Sequence, residues 1–198
     1  MGNYRFLALE GPKPEHVSQF FNLLLNHRVT QVVRLTPAME GNESKCAPYW
    51  ENKTALENGK SYLLVPQSTQ GSGLPYRIPY FYVDIWLDHA PGLPDLLLDL
   101  TCALRDSVSN TQDPLIAVHC SSGVSRTGSL IAAYLLVQDI DRQVKQGIHP
   151  RKVRISIEKI VAQLSLQRPH AVGQPKQYET LYRMVDLYVD RLSEALKS

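Results

Sequence analysis

Apolar residues recur at helical spacing in five stretches of this chain. Over residues 15–27 they fall at Val17, Phe20, Phe21 and Leu24, the i, i+3, i+4, i+7 stripe of an amphipathic helix. A second helix is predicted over 94–109, carrying Leu97, Leu100, Leu104 and Val108; Pro94 suits its first turn, where a backbone N–H would lack a partner anyway. Residues 125–138 are apolar almost all round, which predicts a buried helix. Val153, Ile157, Ile160, Val161 and Leu164 predict a helix over 153–167, stopped by Pro169. Tyr178, Leu181, Tyr182, Val185, Val189 and Leu192 predict a last one over 177–196. Between them lie short β-rich runs at 5–9, 30–35, 62–67, 76–86 and 115–119. Strands alternating with helices predict an α/β fold, a mixed but largely parallel twisted sheet with helices on both faces.

Composition narrows this picture. Hydrophobic residues make up 43% and charged residues 20% of 198, a globular mixture. A formal net charge of +2 gives no reason to expect nucleic acid as a partner. The Pro/Gly/Ser-rich pieces at 70–75 and 110–114 are of loop length and no repeat is visible, so a single domain over 1–198 is expected. The longest strongly apolar run, 130–137, is far short of a bilayer span, so no membrane span is expected. Residues 1–14 lack the apolar run of a secretory leader, and Phe6 argues against a myristoylated Gly2. Cys46, Cys102 and Cys120 form neither a disulfide framework nor a zinc spacing. They fit a reducing compartment, the cytoplasm (or a host cytosol, were the chain a secreted effector).

The segment richest in chemistry is His119-Cys120-Ser121-Ser122-Gly123-Val124-Ser125-Arg126-Thr127-Gly128. It follows an apolar strand and precedes an apolar helix. A strand that runs through a tight loop into a helix leaves the first helical N–H groups without intrahelical partners. Those donors and the positive end of the helix dipole form an anion site. A cysteine at its mouth has a stabilised thiolate and can act as a nucleophile near neutral pH. Arg126 offers a planar fork able to grip two oxygens of a phosphoryl group. Gly123 and Gly128 let the loop curl and the backbone approach closely. Cys46 and Cys102 read as small core residues, and Arg34 and Arg105 as solvated charges.

In the form HCSSGVSRTG, Cys-x5-Arg with its flanking His and Thr-Gly resembles the signature loop of protein tyrosine phosphatases. FLALEGP at 6–12 is similar to that family's short strand ending in Gly-Pro, and VVRLTPAMEGNESKCAPYW at 32–50 to the stretch that follows. Trp86-Leu87-Asp88-His89 resembles its acid loop, and Gln177-Tyr178 the start of its last helix. The likeness runs from Phe6 to about Leu192 and follows the phosphotyrosine-specific branch.

The resemblance implies a phosphatase-like α/β fold and hydrolysis of phosphotyrosine in proteins, with no metal or other cofactor. Cys120 would attack phosphorus, and Arg126 with the amides of Ser121, Ser122, Gly123, Val124 and Ser125 would bind the phosphoryl oxygens, or those of phosphate or vanadate. Asp88 would protonate the leaving phenolate and then activate water. His119 would tune the thiolate and Thr127 would stabilise the departing sulfur. Glu40 would orient Arg126, Lys45 would reach the acid loop, and Trp86 would anchor its hinge. Asp84 and Asp95 compete with Asp88, but the Trp-x-Asp-His context selects Asp88, leaving Asp84 a structural role and Asp95 a helix N-terminus. Arg168 would brace the signature loop, and Tyr4, Tyr49 and Tyr76 read as packing or loop residues. The basic stretch of Arg142, Lys145, Arg151, Lys152 and Arg154 reads as a solvated face.

Three departures from the family pattern stand out. Leu87 replaces the usual proline of the acid loop and frees that backbone. Gly173 stands where a water-holding Gln is usual, with Gln174 beside it. Nothing matches the Lys-Asn-Arg-Tyr segment that deepens the tyrosine pocket. Dual specificity with a shallower pocket, or a weakly active phosphotyrosine-binding pseudophosphatase, are the competing expectations; the absence of lysine from the signature loop argues against a lipid-directed enzyme.

Overall fold

The computed structural model describes residues 5–67, 74–86 and 93–197. The chain forms two compact units, one of residues 1–88 and 110–123, the other of 89–109 and 124–198.

The first unit is built on a six-stranded sheet. Its strands are β1 (Arg5–Leu9), β2 (Gln31–Arg34), β5 (Thr54–Glu57), β6 (Lys60–Val65), β7 (Tyr76–Tyr82) and β8 (Leu115–His119), ordered β1-β8-β2-β7-β6-β5. The β1, β8, β2 and β7 neighbours pair in parallel, and β6 and β5 extend the sheet antiparallel. This is an α/β fold with a mostly parallel central sheet. All residues of β2 and β8 are buried, as expected of central parallel strands, and β8 is accordingly a continuous apolar run up to His119. β7 instead alternates, burying Ile78 and Tyr80. Helix α1 (Val17–Asn26) turns Phe20, Phe21 and Leu24 into one cluster with Val32, Leu63, Val65, Ile78, Leu115 and Ala117. A small hairpin, β3 (Met39–Glu40) with β4 (Glu43–Ser44), lies outside the main sheet.

The second unit is helical: α2 (Pro94–Val108), α3 (Ser125–Lys145), α4 (Ile157–Gln167) and α5 (Pro175–Ala195). α3 is buried nearly all round through Val137, then continues two turns further than its apolar run predicts, because Gln143 is also buried. The Gln143 amide accepts from the Arg154 N–H and donates to the Arg154 carbonyl, both at 2.9 Å, which occupies backbone groups that would otherwise lack partners. α4 starts four residues later than its periodicity suggests. Ser156 takes an extended conformation and its Oγ accepts from the Lys159 N–H at 3.2 Å, the geometry of an N-cap. Pro175 opens α5 two residues before its expected start. Arg105 of α2, Asp141 of α3 and Tyr188 of α5 form a partly buried cluster in which Arg105 Nη1 donates to Asp141 at 2.9 Å and to Tyr188 at 2.7 Å. Arg105 is thus a tie among three helices rather than a solvated charge. No helix among the described residues is long and apolar enough to cross a membrane.

Candidate active site

The signature segment is shared between the units, and each half is held by its own. In the first unit β8 ends with His119 level with Leu9 of β1 and Arg34 of β2, at the carboxyl ends of three parallel strands. Ligand sites of open α/β sheets lie at such ends. The Leu35 N–H donates to the His119 carbonyl at 2.8 Å, and the Gly11 N–H to the Ser121 carbonyl at 2.9 Å. Cys120 is buried, 2% exposed. Two glycines make this approach possible. A Cβ on Gly11 would sit 2.7 Å from the Cys120 carbonyl and 3.0 Å from the Cys46 side chain. Gly123 has φ +68°, and a Cβ there would run into the Leu9 carbonyl.

In the second unit Val124 precedes the 21-residue helix α3, and the Gly128 N–H returns to the Val124 carbonyl at 2.7 Å. The earlier helical N–H groups have no intrahelical acceptor and carry the positive end of the dipole. Arg126 and Thr127 are fully buried. A Cβ on Gly128 would lie 2.8 Å from the Val172 nitrogen and 3.0 Å from Ala171. The segment against it is strained: His170 and Val172 have φ of +64° and +56°, a region that a β-branched residue rarely enters. Gln174 precedes α5, half-buried, and its carbonyl accepts from the Gln177 and Tyr178 N–H groups at 3.0 Å. Gln177 is fully buried. Its Oε1 lies 3.5 Å from the Ser129 hydroxyl, and its Nε2 has no partner among the described residues.

His119 anchors a buried polar chain. Its Nδ1 lies 3.1 Å from the Cys120 carbonyl and its Nε2 2.7 Å from the Tyr49 hydroxyl. Burial drives its pKa down to about 4; the hydrogen bond to Cys120 acts against this and the Arg34 charge adds to it. The Tyr49 hydroxyl is also hydrogen-bonded to Tyr80, and the Arg34 Nε donates to the Tyr80 hydroxyl at 2.6 Å. Arg34 is 2% exposed, which corrects its reading as a solvated charge. Its guanidinium lies 3.7 Å from the Trp50 ring centroid, donates to the Thr36 carbonyl at 2.5 Å, and pairs with Asp84. Asp84 lies just past β7, which stops at Tyr82, and is tied up in this ion pair, in keeping with a structural role.

The remaining candidates fall as follows. Glu40, in β3, accepts from the Thr36 hydroxyl at 3.4 Å. Lys45 pairs with Glu43 at 2.7 Å. Trp86 is buried, 4% exposed. Asp88, with Leu87 and His89, lies outside the described residues, as does Tyr4. Asp95 lies in the first turn of α2, 3.6 Å from Arg191 of α5. Cys46 is buried and desolvation pushes its thiol up to about 12; burial also raises that of the half-buried Cys102. Reading the sequence missed Arg34, Tyr80 and Gln177. A charged residue inside an otherwise apolar strand was the one available signal for Arg34.

The protein-tyrosine phosphatase family model matches residues 1–70 and 60–186. The chain belongs to that family. It is 25% identical over 209 residues to human receptor-type tyrosine-protein phosphatase epsilon, covering 96% of this chain and 29% of that protein. It is 28% identical over 197 residues to mouse receptor-type tyrosine-protein phosphatase eta (91% and 15%), and 28% identical over 202 residues to human tyrosine-protein phosphatase non-receptor type 7 (96% and 53%). The chain thus spans from about a seventh to about half of the length of these relatives.

Proposed function

We propose that this chain acts as one catalytic domain that hydrolyses phosphotyrosine in proteins by way of a cysteinyl-phosphate. The observation that carries the reading is the strand–loop–helix course of the signature segment, with Cys120 buried at the end of β8 and α3 starting at Ser125. The Cys120 thiolate attacks phosphorus and a P–S bond forms as the P–O bond to tyrosine breaks. Asp88 delivers its proton to the leaving phenolate. Arg126 and the amides of Ser121 to Ser125 hold the non-bridging oxygens, most strongly as charge spreads over them in the transition state. Water, deprotonated by Asp88, then attacks phosphorus, the P–S bond breaks, and phosphate leaves. Gln174 or the buried Gln177 amide orients that water. Thr127 supports the departing sulfur, Glu40 and Lys45 brace Arg126 and the acid segment, and Trp86 anchors the latter. No metal is needed in this scheme. The reading fits a cytoplasmic, reducing setting, where a working thiol survives.

Gly173 in the usual water-holding position favours one second reading, a phosphotyrosine-binding protein of weak turnover. Turnover and binding of phosphotyrosine and phosphothreonine peptides, with and without vanadate, decide between them. Hydrolysis of phosphotyrosine alone, blocked by vanadate, is expected. Equal turnover of both peptides would remove strict tyrosine specificity, and binding without turnover would leave the second reading.

A further inference from the structure

We propose that Arg34 is a positioning residue for the Cys120 nucleophile, acting through a buried hydrogen-bond chain that runs from Arg34 through Tyr80, Tyr49 and His119 to the Cys120 carbonyl. It rests on the reading of Cys120 as the nucleophile. All five residues belong to the sheet unit.

The direction of the chain follows from donor and acceptor arithmetic. The Cys120 carbonyl can only accept, so His119 Nδ1 carries the proton of the 3.1 Å bond. The ring is neutral at pH 7, so Nε2 is a lone pair and accepts from the Tyr49 hydroxyl at 2.7 Å. That hydroxyl has spent its hydrogen on His119, so in its hydrogen bond with Tyr80 its oxygen is left to accept. The Tyr80 oxygen in turn accepts from the Arg34 Nε at 2.6 Å. Every donor therefore points from the guanidinium toward Cys120. Head-to-tail hydrogen bonds polarise one another, and a cation at the head strengthens each donor down the line. The last acceptor is the carbonyl of the peptide whose N–H belongs to Ser121. A stronger bond to that oxygen draws electron density from the peptide and makes the Ser121 N–H a better partner for an anion. The thiolate beside it is stabilised accordingly.

The surroundings of Arg34 hold it for this role. Trp50 lies against its plane, Tyr82 flanks it at 5.2 Å, and Thr36 and Asp84 accept from both of its Nη groups. Cys46, which acts on Tyr49 through its charge when ionised, stays protonated because burial raises its pKa. Asp84 opposes the Arg34 charge, and this gives the proposal a sign. Bracing alone would make Arg34 a pin between β2 and the end of β7, and Tyr80 would then matter only through its ring.

The test is the pH dependence of Cys120 alkylation by iodoacetate in the intact chain, mapped by peptide so that Cys46 and Cys102 are counted apart. Tyr80→Phe keeps the ring and the Arg34–Asp84 pair but cuts the chain. Its inflection is expected to move up by on the order of half a pH unit, with kcat falling and KM little changed. Arg34→Met should move it the same way, and Asp84→Asn, which unmasks the guanidinium, the opposite way. An unchanged inflection in folded Tyr80→Phe overturns the proposal, and so do upward shifts in all three variants, which would mean general loosening. Should Arg34→Met not fold, the other two decide. If Cys120→Ser retains turnover, the nucleophile reading itself has failed and the proposal falls with it. If Cys120→Ser is inactive but Tyr80→Phe titrates as the wild type, only the relay has failed.

Discussion

The strand half and the helix half of the signature segment are held in place by different physics. Up to Gly123 the backbone is fixed by directional bonds: the β8 ladders, Leu35 and Gly11 on the flanking carbonyls, and the polar chain through His119. From Val124 onward close packing joins the hydrogen bonds: a helix buried almost all round and a glycine, Gly128, pressed against a strained turn at 170–173. Directional hydrogen bonds fix an atom's position closely, which suits the nucleophile proposed at Cys120. Packing of a long helix sets a direction, which suits a dipole and the arginine on its first turn.

The largest test of this division is chemical. Cys120→Ser should cost more than about 10³-fold in turnover while phosphopeptide binding persists, because binding is left to the loop amides and Arg126. Phosphopeptide turnover and binding titration check both halves of that statement. Retained turnover would remove the nucleophile from the strand half.

Next come the two glycines, each tied to one half. Gly123→Ala meets both a left-handed φ and the Leu9 carbonyl, so a loss of more than about 3 kcal/mol is expected in denaturant unfolding. Gly128→Ala keeps a helical φ and gains helix propensity, but its Cβ meets the Val172 nitrogen at 2.8 Å. A loss of about 1–3 kcal/mol should remain. Equal losses would erase the distinction between backbone collision and packing.

Acid should unfold the strand half first. His119 has a folded pKa of about 4, below the ordinary 6.5 of histidine, so the unfolded chain takes up its proton first as pH falls. The stability contributed by the neutral ring is complete above about 6.5 and is lost as pH falls toward 4, by up to about 1.4 kcal/mol per pH unit. Unfolding free energies across that window check the slope, which should flatten in His119→Asn. The smallest effect is expected at Val172→Gly. Relief of the left-handed strain, about 1 kcal/mol, nearly cancels the loss of a buried side chain, about 1.5 kcal/mol. A large loss in thermal unfolding would mean that packing at 170–173 outweighs strain.

Much of the fold was legible in the residues themselves. β1 and β8 match their apolar runs end to end, and α2 differs from its predicted span by one residue. The missed elements are those with little periodicity to read, the two-residue strands β3 and β4 and the four-residue β5. The strand expected over 76–86 stops at Tyr82: the Val83 N–H makes a last bond to the Arg34 carbonyl at 2.9 Å, and Asp84 then turns to the Arg34 side chain. At the candidate site, Cys120, Arg126 and the loop glycines announced themselves through a contiguous motif. Tyr49 was read as packing, although its hydroxyl is bonded to His119, and Arg34 was read as solvent-facing.

The sequence by itself determined the order of the longer strands and helices and the run from His119 to Gly128, because periodicity and a short motif are properties of neighbouring residues. Only the tertiary structure decided what surrounds that run. Arg34 and Tyr80 are 46 residues apart, and Tyr49 and His119 are 70 apart. A hydrogen bond between such partners exists only once the sheet register is set, and no local pattern of side chains encodes that register.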